Sequence, residues 1–234
     1  MDKKDFIIIF LLVVSGIFYW NLTSPINIDN HFEEHIIIRV LDGDTVEVLG
    51  GDRIRFVGIN TPETGYPYSS EAKEFLMDRI LNQTVSVEVL GKDRYGRLLG
   101  YVHFNGELLN EELVREGLAH SFYYDRDDHY KEIMRAEESA RKEGKGIWRE
   151  SINKNCLEVI EFIYLDLKAT DIERLNLRNS CNFKLNLVIK DDATHIYEKT
   201  IKSELNLTFK DIFNDGGDSL YIWDSWGLIF FERY

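Results

Sequence analysis

The stretch Ile36–Ile59, IIIRVLDGDTVEVLGGDRIRFVGI, decides the fold expected for the N-terminal half of the chain. Two β-prone runs flank Asp42-Gly43-Asp44, and Asp-Gly between such runs is a strong hairpin signal. The pair Gly50-Gly51 makes the next turn, and a further β-prone run covers Arg53–Ile59. The sequence therefore predicts three short strands joined by tight turns.

Helical and strand patterns follow these three strands. Apolar residues at helical or alternating spacing predict the following elements: a helix over Ser70–Leu81, strands over Val85–Leu90 and Leu98–Phe104, and helices over Glu107–Glu116 and Asp127–Glu143. The order β-β-β-α-β-β-α-α is typical of the OB-fold, a small β-barrel, here with three helices and hence α+β. Because proteins with an OB-fold have many different functions, the fold does not establish a function.

The charge of the chain limits the kind of nucleic-acid contact that it can make. The net charge is −13, and neither the first 154 residues nor the remainder is basic. A protein that binds DNA tightly by neutralising phosphates needs a basic surface. An acidic chain therefore argues against a DNA-binding scaffold, but less against an enzyme that contacts its substrate only during turnover.

Five short segments carry a family resemblance. They are VLDGDT at 40–45, RFVGINTPET at 55–64, DRYGR at 93–97, NEELVREGLA at 110–119 and GIW at 146–148. In this order and spacing they resemble the staphylococcal nuclease family, over residues 33–150. The resemblance implies an OB-fold domain that hydrolyses the phosphodiester bonds of DNA and RNA.

Three charged residues in these segments suit phosphodiester hydrolysis, which needs charge stabilisation at phosphorus and a positioned water. The forked guanidinium groups of Arg55 and Arg97 suit pairs of phosphate oxygens. Glu63 follows the third strand, where a carboxylate could orient or deprotonate a water. By resemblance, all three match the family's catalytic residues.

The same resemblance indicates substrate-binding residues. Arg94 and Tyr95 would line the phosphate and base pocket. Tyr123 matches a position at which a base stacks on an aromatic ring. A packing role for Tyr123 is the alternative, because Phe122 and Tyr124 stand beside it.

Oxygen ligands for one Ca²⁺ ion are also expected. Asp44, Asn60 and the backbone carbonyl of Thr61 match the family's calcium-binding positions, while Asp42 fits a turn residue better. The family usually has aspartate where this chain has Asn60. Since calcium affinity follows ligand charge, we expect weaker calcium binding.

The N-terminus resembles an export signal. Lys3 and Lys4 precede the apolar run Phe6–Trp20, which is shorter than the ~20 residues that span a bilayer. This pattern predicts a signal peptide or membrane anchor within residues 1–24, with the remaining chain secreted or held outside the membrane. Whether the segment is cleaved is left open.

Residues 155–234 form the second predicted domain. Seven short β-like runs separated by turn signals indicate an all-β sandwich: Leu157–Leu165, Arg174–Leu177, Phe183–Ile189, His195–Ile201, Leu205–Phe209, Ser219–Trp223 and Leu228–Phe231. The segments ERLNLRN at 173–179 and GDSLYIWDSWG at 217–227 resemble the immunoglobulin-like lamin-tail domain. That resemblance implies an interaction or positioning role toward an unknown partner.

The two cysteines and six histidines of the chain are less informative. Cys156 and Cys181 fit free buried thiols and a disulfide equally well, and an exported chain permits the disulfide. The histidines have no ligand spacing, and we assign them no role.

The sequence thus predicts an exported, calcium-assisted nuclease. The main alternative is a non-catalytic OB-fold module that binds nucleic acid or protein and has lost its metal through Asn60. A third interpretation is a surface adhesion protein whose C-terminal sandwich is the important half.

Overall fold

The hairpins predicted at the start of the chain are present in a computed structural model, which describes residues 32–123, 127–164, 172–193, 195–210, 212 and 218–234. The predicted signal or anchor segment, residues 6–20, lies outside the described residues. Within those residues, no helix combines the length and the apolar character needed to cross a membrane.

The elements of the N-terminal half follow the predicted order. They are β1 (Phe32–Val40), β2 (Thr45–Val48), β3 (Arg53–Phe56), β4 (Ile59–Asn60), α1 (Ser69–Ile80), β5 (Thr84–Lys92), β6 (Leu98–Phe104), β7 (Glu107–Leu108), α2 (Leu109–Arg115), β8 (His120–Ser121) and α3 (Tyr130–Glu143). A 3-10 turn covers Gly146–Trp148.

Five of these strands close into a barrel. The sheet order is β3-β2-β1-β5-β6-β7, and an additional pairing between β3 and β6 joins the two sides. This closing pair is parallel, with Arg55 opposite Leu99. Alternate side chains of the strands fill the interior, where Ile37, Ile54 and Val87 are fully buried. The structure therefore shows the predicted OB-fold, with three helices in the described part of this region.

The helices cover the barrel with one apolar face each. The side chains of Leu76 and Ile80 on α1 and Leu113 on α2 are fully buried in the barrel core. α3 adds Ile133 to the same core. At roughly 25 cal/mol per Å² of apolar surface, burial of these faces is the main force that holds the helices in place.

The predicted third strand, Arg53–Ile59, is wrong in one respect, because it is interrupted. Gly58 has a φ of +74°, and a Cβ there would lie 2.8 Å from the hydroxyl oxygen of Tyr123. The chain bends at this glycine, and the next two residues form β4, which pairs with β8 rather than with β2. The bend carries Asn60 out of the barrel wall.

The C-terminal part consists of strands. They are β9 (Leu157–Ile163), β10 (Glu173–Asn179), β11 (Leu185–Lys190), β12 (Ile196–Ile201), β13 (Glu204–Phe209), β14 (Ser219–Asp224) and β15 (Gly227–Arg233). A three-stranded sheet has the order β13-β10-β9, and a four-stranded sheet has the order β12-β11-β14-β15. All seven predicted β runs thus correspond to strands.

The two sheets share one hydrophobic core. Leu175 and Leu177 of the three-stranded sheet and Leu187, Ile189 and Ile222 of the four-stranded sheet belong to a single buried cluster. This arrangement is consistent with the predicted sandwich. Of the two states left open for the cysteines, the structure shows the disulfide, Cys156–Cys181. It links the residue before β9 to the loop that follows β10.

The sandwich packs directly against the barrel through the predicted GIW segment. Trp148 is buried against Tyr221 and Phe231, with ring centroids 5.9 and 5.1 Å apart. The indole N–H of Trp223 donates to the backbone carbonyl of Ile147 at 3.0 Å. These contacts lie within one compact unit, Phe32–Tyr234. The barrel and the sandwich therefore form a shared interface.

Candidate active site

Asp44 is the centre of the first group of predicted site residues. Its Oδ1 accepts a hydrogen bond from the Thr45 hydroxyl at 3.1 Å and lies 3.2 Å from Nε of Arg55. Its Oδ2 accepts from the backbone N–H and the hydroxyl of Thr61, at 3.1 and 3.0 Å. The β1–β2 turn and the segment after β4 are thus joined by a single buried carboxylate.

Asp42 shapes the turn that positions Asp44. Its Oδ1 accepts the backbone N–H of Asp44 at 3.1 Å, as an aspartate does in an Asx turn. Burial and the neighbouring Asp44 carboxylate raise the pKa of Asp42. These contacts agree with its interpretation as a turn residue.

Arg55 connects Asp44 with Asn60. Besides its contact with Asp44, its guanidinium donates to Oδ1 of Asn60 and to the backbone carbonyls of Phe56 and Ile59, the last at 3.0 Å. Both Asp44 and Asn60 therefore present side-chain oxygens to the same arginine.

The first group offers oxygen donors, which are the ligands that Ca²⁺ prefers. One carboxylate, from Asp44, and one amide oxygen, from Asn60, face the same guanidinium. The donor types fit a hard cation, but they supply only one negative charge. A cation at these oxygens would have to displace Arg55 from them.

The turn between β5 and β6 holds the second group. Nε of Arg97 donates to Asp93 at 2.7 Å, and the Arg97 backbone N–H donates to the same carboxylate at 3.0 Å. Although burial acts in the opposite direction, these bonds lower the pKa of Asp93. The guanidinium carbons of Arg94 and Arg97 lie 4.8 and 5.6 Å from the exposed Tyr95 ring.

Arg55 lies on one of the two strands that close the barrel, and Arg97 immediately precedes the other. Ile54 pairs with Leu98 in the parallel β3–β6 ladder. Arg97 therefore immediately precedes the first paired residue of β6, and Arg55 immediately follows Ile54 on β3. The fold brings the two predicted phosphate-binding residues to the same part of the barrel wall.

Glu63 lies on the loop after β4. Its side chain is exposed, and its backbone carbonyl accepts the N–H of Tyr66 at 3.0 Å. Glu63 also lines a cavity between this loop and the sandwich, together with His120, Lys190 and Trp223. The carboxylate is thus open to solvent on one side and faces residues of the sandwich on the other.

Tyr123 packs against the barrel core and is half-buried. Its hydroxyl end reaches under Gly58, and its ring meets that of Tyr130 edge-on at 5.0 Å. The packing alternative is therefore realised in the structure, while base stacking on Tyr123 remains a prediction.

The sandwich contributes residues that sequence reasoning did not place at the site. Nδ2 of Asn60 donates to the backbone carbonyl of Asp192 at 2.7 Å. The Tyr66 hydroxyl donates to Glu198 at 3.2 Å. In the sequence, Asp191-Asp192 is one of the turn signals that separate the β-like runs, and no pattern points to this contact.

Buried polar groups surround the Asp192 contact. The Asp192 carboxylate accepts hydrogen bonds from the hydroxyls of Tyr221 and Ser219 at 2.6 and 3.0 Å. Burial raises its pKa to about 6. Burial and the nearby Lys190 ammonium lower the pKa of His120, whose Nδ1 lies 3.6 Å from Asp192. The interface beside Asn60 therefore contains titratable groups.

Known proteins resemble the barrel half of the chain. The family model described as staphylococcal nuclease homologue matches residues 53–150. A thermonuclease of Staphylococcus hyicus is 40% identical over 124 residues, which cover 48% of this chain and 73% of that protein.

Two further relatives agree. A thermonuclease of Staphylococcus intermedius is 37% identical over 128 residues, covering 50% of this chain and 76% of that protein. An uncharacterized endonuclease of Escherichia coli O157:H7 is 34% identical over 119 residues, covering 49% and 76%. These relatives support a nuclease function. The chain belongs to the staphylococcal nuclease family.

Proposed function

We propose that this chain is a calcium-assisted nuclease that hydrolyses DNA and RNA with little sequence preference. The observation that carries the proposal is the position of Arg55 beside Asp44 and Asn60, on the strand paired with the one that Arg97 precedes. A binding module has no need of two arginines, an exposed carboxylate and a set of hard oxygen donors within one barrel domain.

The proposed reaction is the attack of a water oxygen on phosphorus. Glu63 accepts the proton of the attacking water, and the bond from phosphorus to the 5′ oxygen breaks, which leaves a 3′-phosphate. The departing 5′ oxygen takes a proton from a solvent water and becomes a 5′ hydroxyl group. Arg55 and Arg97 donate hydrogen bonds to the phosphoryl oxygens as negative charge develops on them.

Asp44, Asn60 and the Thr61 carbonyl would hold the one Ca²⁺ ion. When bound, the ion supplies positive charge that polarises the phosphate and orients the water. In the state described, Arg55 contacts both side-chain donors. Substrate phosphate offers Arg55 a new partner, so we expect substrate and Ca²⁺ to bind cooperatively.

Arg94, Tyr95 and Tyr123 are proposed to bind substrate. The exposed Tyr95 ring beside two guanidinium groups suits a phosphate flanked by a base. For Tyr123, only the edge of the ring that its packing leaves accessible could contact a base.

We further propose that the protein is exported. Residues 1–24 would act as the signal or anchor, residues 33–150 as the nuclease domain and residues 155–234 as a lamin-tail-like interaction domain with an unknown partner. The Cys156–Cys181 disulfide supports export, because disulfides persist in oxidising compartments. Extracellular calcium also suits a weak site.

One observation favours the non-catalytic alternative. Arg55 contacts the side chains of both candidate calcium ligands, Asp44 and Asn60. A module that never binds metal would keep these contacts permanently. In that case the barrel would bind nucleic acid or protein without cleaving it. Metal dependence of cleavage separates the two functions.

The test is digestion of supercoiled plasmid and of RNA by the full chain while Ca²⁺ is titrated. We expect cleavage that needs Ca²⁺, stops with a chelator and falls by about 10²–10⁴-fold in Glu63→Gln. Glu71→Gln, which alters an exposed carboxylate in the first turn of α1, is the matched control. Absence of cleavage at millimolar Ca²⁺, with binding of the same nucleic acids retained, would establish the binding module instead.

A further inference from the structure

Glu88, His103 and His129 form a cluster outside the candidate active site, which we call the His–Glu cluster. Glu88 lies on β5 and His103 on β6, while His129 immediately precedes α3. Ser86 pairs with His103 and Glu88 with Tyr101. Because paired residues and alternate residues share a face of a sheet, Glu88 and His103 project from the same face.

The three side chains present ligand atoms to one another. Nε2 of His129 lies 2.9 Å from Oε2 of Glu88, and the rings of His103 and His129 have centroids 5.9 Å apart. One ligand atom from each of the three residues lies within 4.8 Å of the other two. Three separate segments of the chain therefore converge on one point.

One of these atoms lacks a hydrogen-bond partner. Nε2 of His103 is buried and unpaired among the described residues. Leaving a buried polar atom unsatisfied costs on the order of 1–3 kcal/mol.

The surroundings also suit a cation. The Glu88 carboxylate is buried and supplies one negative charge. The other ring nitrogen of His129, Nδ1, lies 3.7 Å from the Glu132 carboxylate. A carboxylate at the second ring nitrogen is the usual partner of a histidine that binds a metal, because it fixes the ring and its tautomer.

We propose that Glu88, His103 and His129 bind one divalent transition-metal ion of the Zn²⁺ class. Two imidazoles and one carboxylate are a common zinc ligand set and leave a fourth position for water. Tetrahedral bonds of about 2.0–2.2 Å place ligand atoms roughly 3.3–3.6 Å apart. Side-chain rotation on ion binding therefore has to widen the 2.9 Å between His129 and Glu88 and to bring His103 to the same distance from both. The Asp44 group, with oxygens only, prefers a hard cation and would not compete.

The ion would fix the start of α3 to the barrel. His129 packs on the Tyr101 ring, with centroids 4.2 Å apart, and the Tyr101 hydroxyl donates to Asp127. Tyr130 in turn meets Tyr123. An ion held by β5, β6 and His129 would thus hold the N-terminal end of α3 against these two strands. This consequence does not depend on the proposed nuclease function.

The test uses the full chain without a histidine tag, in millimolar Ca²⁺ so that the oxygen donors are saturated. Calorimetry with Zn²⁺ and absorption spectroscopy with Co²⁺ should each show one ion per chain. At a Zn²⁺ concentration about a hundredfold above its Kd, we expect the thermal midpoint to rise by roughly 5–10 °C. No binding at millimolar Zn²⁺ would overturn the proposal.

Matched variants locate the ion. His103→Phe and His129→Gln each remove one ligand and should weaken Zn²⁺ binding by more than about 100-fold. His35→Phe alters another barrel histidine, which contacts Glu33 instead, and should bind Zn²⁺ like the unaltered chain. Retention of binding in both ligand variants, or its loss in His35→Phe, would contradict the assignment.

A measurement on the unaltered chain covers the case in which a variant fails to fold. Side-chain ¹⁵N spectra of histidine should show metal-induced shifts at one nitrogen of His103 and one of His129 when Zn²⁺ is added. Shifts confined to other histidines would overturn the proposal.

Discussion

Asn60 donates a hydrogen bond of 2.7 Å from its side-chain amide to the backbone carbonyl of Asp192, 132 residues further along the chain. The oxygen of the same amide accepts from Arg55. An amide can donate on one side and accept on the other, whereas an ionised aspartate at this position could only accept. The contact with the sandwich thus gives a physical reason for asparagine at a position where the family usually has aspartate.

We predict that Asn60→Asp has opposite effects on metal binding and on stability. The added charge should raise Ca²⁺ affinity on the order of tenfold, because calcium affinity follows ligand charge. The lost donor leaves the Asp192 carbonyl facing a carboxylate, which should lower the free energy of unfolding by about 1–3 kcal/mol.

Calcium titration and urea unfolding of the same preparations measure both effects. Asn60→Ala is the control, because it removes the donor without adding charge. If Asn60→Asp bound Ca²⁺ more tightly and unfolded at the same urea concentration as the unaltered chain, the contact with Asp192 would have no energetic role.

The Asp192 carboxylate predicts a pH dependence of stability. Its folded-state pKa is raised to about 6 by burial, above the ordinary value near 4. An acid whose pKa rises on folding stabilises the folded state below its unfolded pKa, and that contribution is lost as the pH rises through the folded pKa. We therefore expect the contribution of Asp192 to the free energy of unfolding to fall by about 3 kcal/mol as the pH rises from about 4 to about 6.

Other carboxylates titrate in the same range, so the prediction concerns a difference. We compare the free energy of unfolding of the unaltered chain with that of Asp192→Asn at each pH. The difference between the two should fall as the pH rises across this interval. The variant keeps the backbone carbonyl that Asn60 contacts. A difference that does not change with pH would show that Asp192 is solvated or compensated in the folded protein.

Gly117 and Gly144 provide a matched pair for a prediction about the fold. They have nearly equal φ values of +67° and +63°. A Cβ at Gly117 would lie 2.2 Å from the backbone carbonyl oxygen of Lys145, whereas a Cβ at Gly144 would have no atom within 4 Å. The two positions share the same backbone strain and differ in steric contact.

Gly144→Ala should therefore lower the free energy of unfolding by only about 1–2 kcal/mol, which is the strain of a non-glycine residue in the left-handed conformation. Gly117→Ala should cost more than about 3 kcal/mol, since the segment that carries Gly146-Ile147-Trp148 has to move. Thermal or urea unfolding of both variants measures the difference. Equal destabilisation would mean that the close approach of these backbones does not constrain the fold.

The barrel was predictable because its signals are local. Turn residues such as Gly43 and Gly50 separate the strands, and helix α1 lies within one residue of the predicted range. The seven C-terminal strands were found for the same reason. The break at Gly58 was not, because it depends on Tyr123, which lies far along the chain and packs beneath it.

Contacts across the fold account for what the sequence did not indicate in the site. The resemblance named Asp44, Arg55 and Asn60, and the structure brings their side chains together. The contribution of Asp192 depends on how the sandwich packs on the barrel. The His–Glu cluster depends on strand register between β5 and β6, so spacing along the chain gave no sign of it.

The most direct test of the proposed nuclease site compares two arginines of β3. Arg55→Lys keeps the charge but loses the forked guanidinium, and we expect kcat for DNA cleavage to fall by about 10²-fold or more. Arg53→Lys alters an exposed residue of the same strand and should leave kcat unchanged. Thermal midpoints recorded alongside separate a loss of fold from a loss of chemistry. A folded Arg55→Lys chain that cleaves DNA at the unaltered rate would contradict the assignment of the active site.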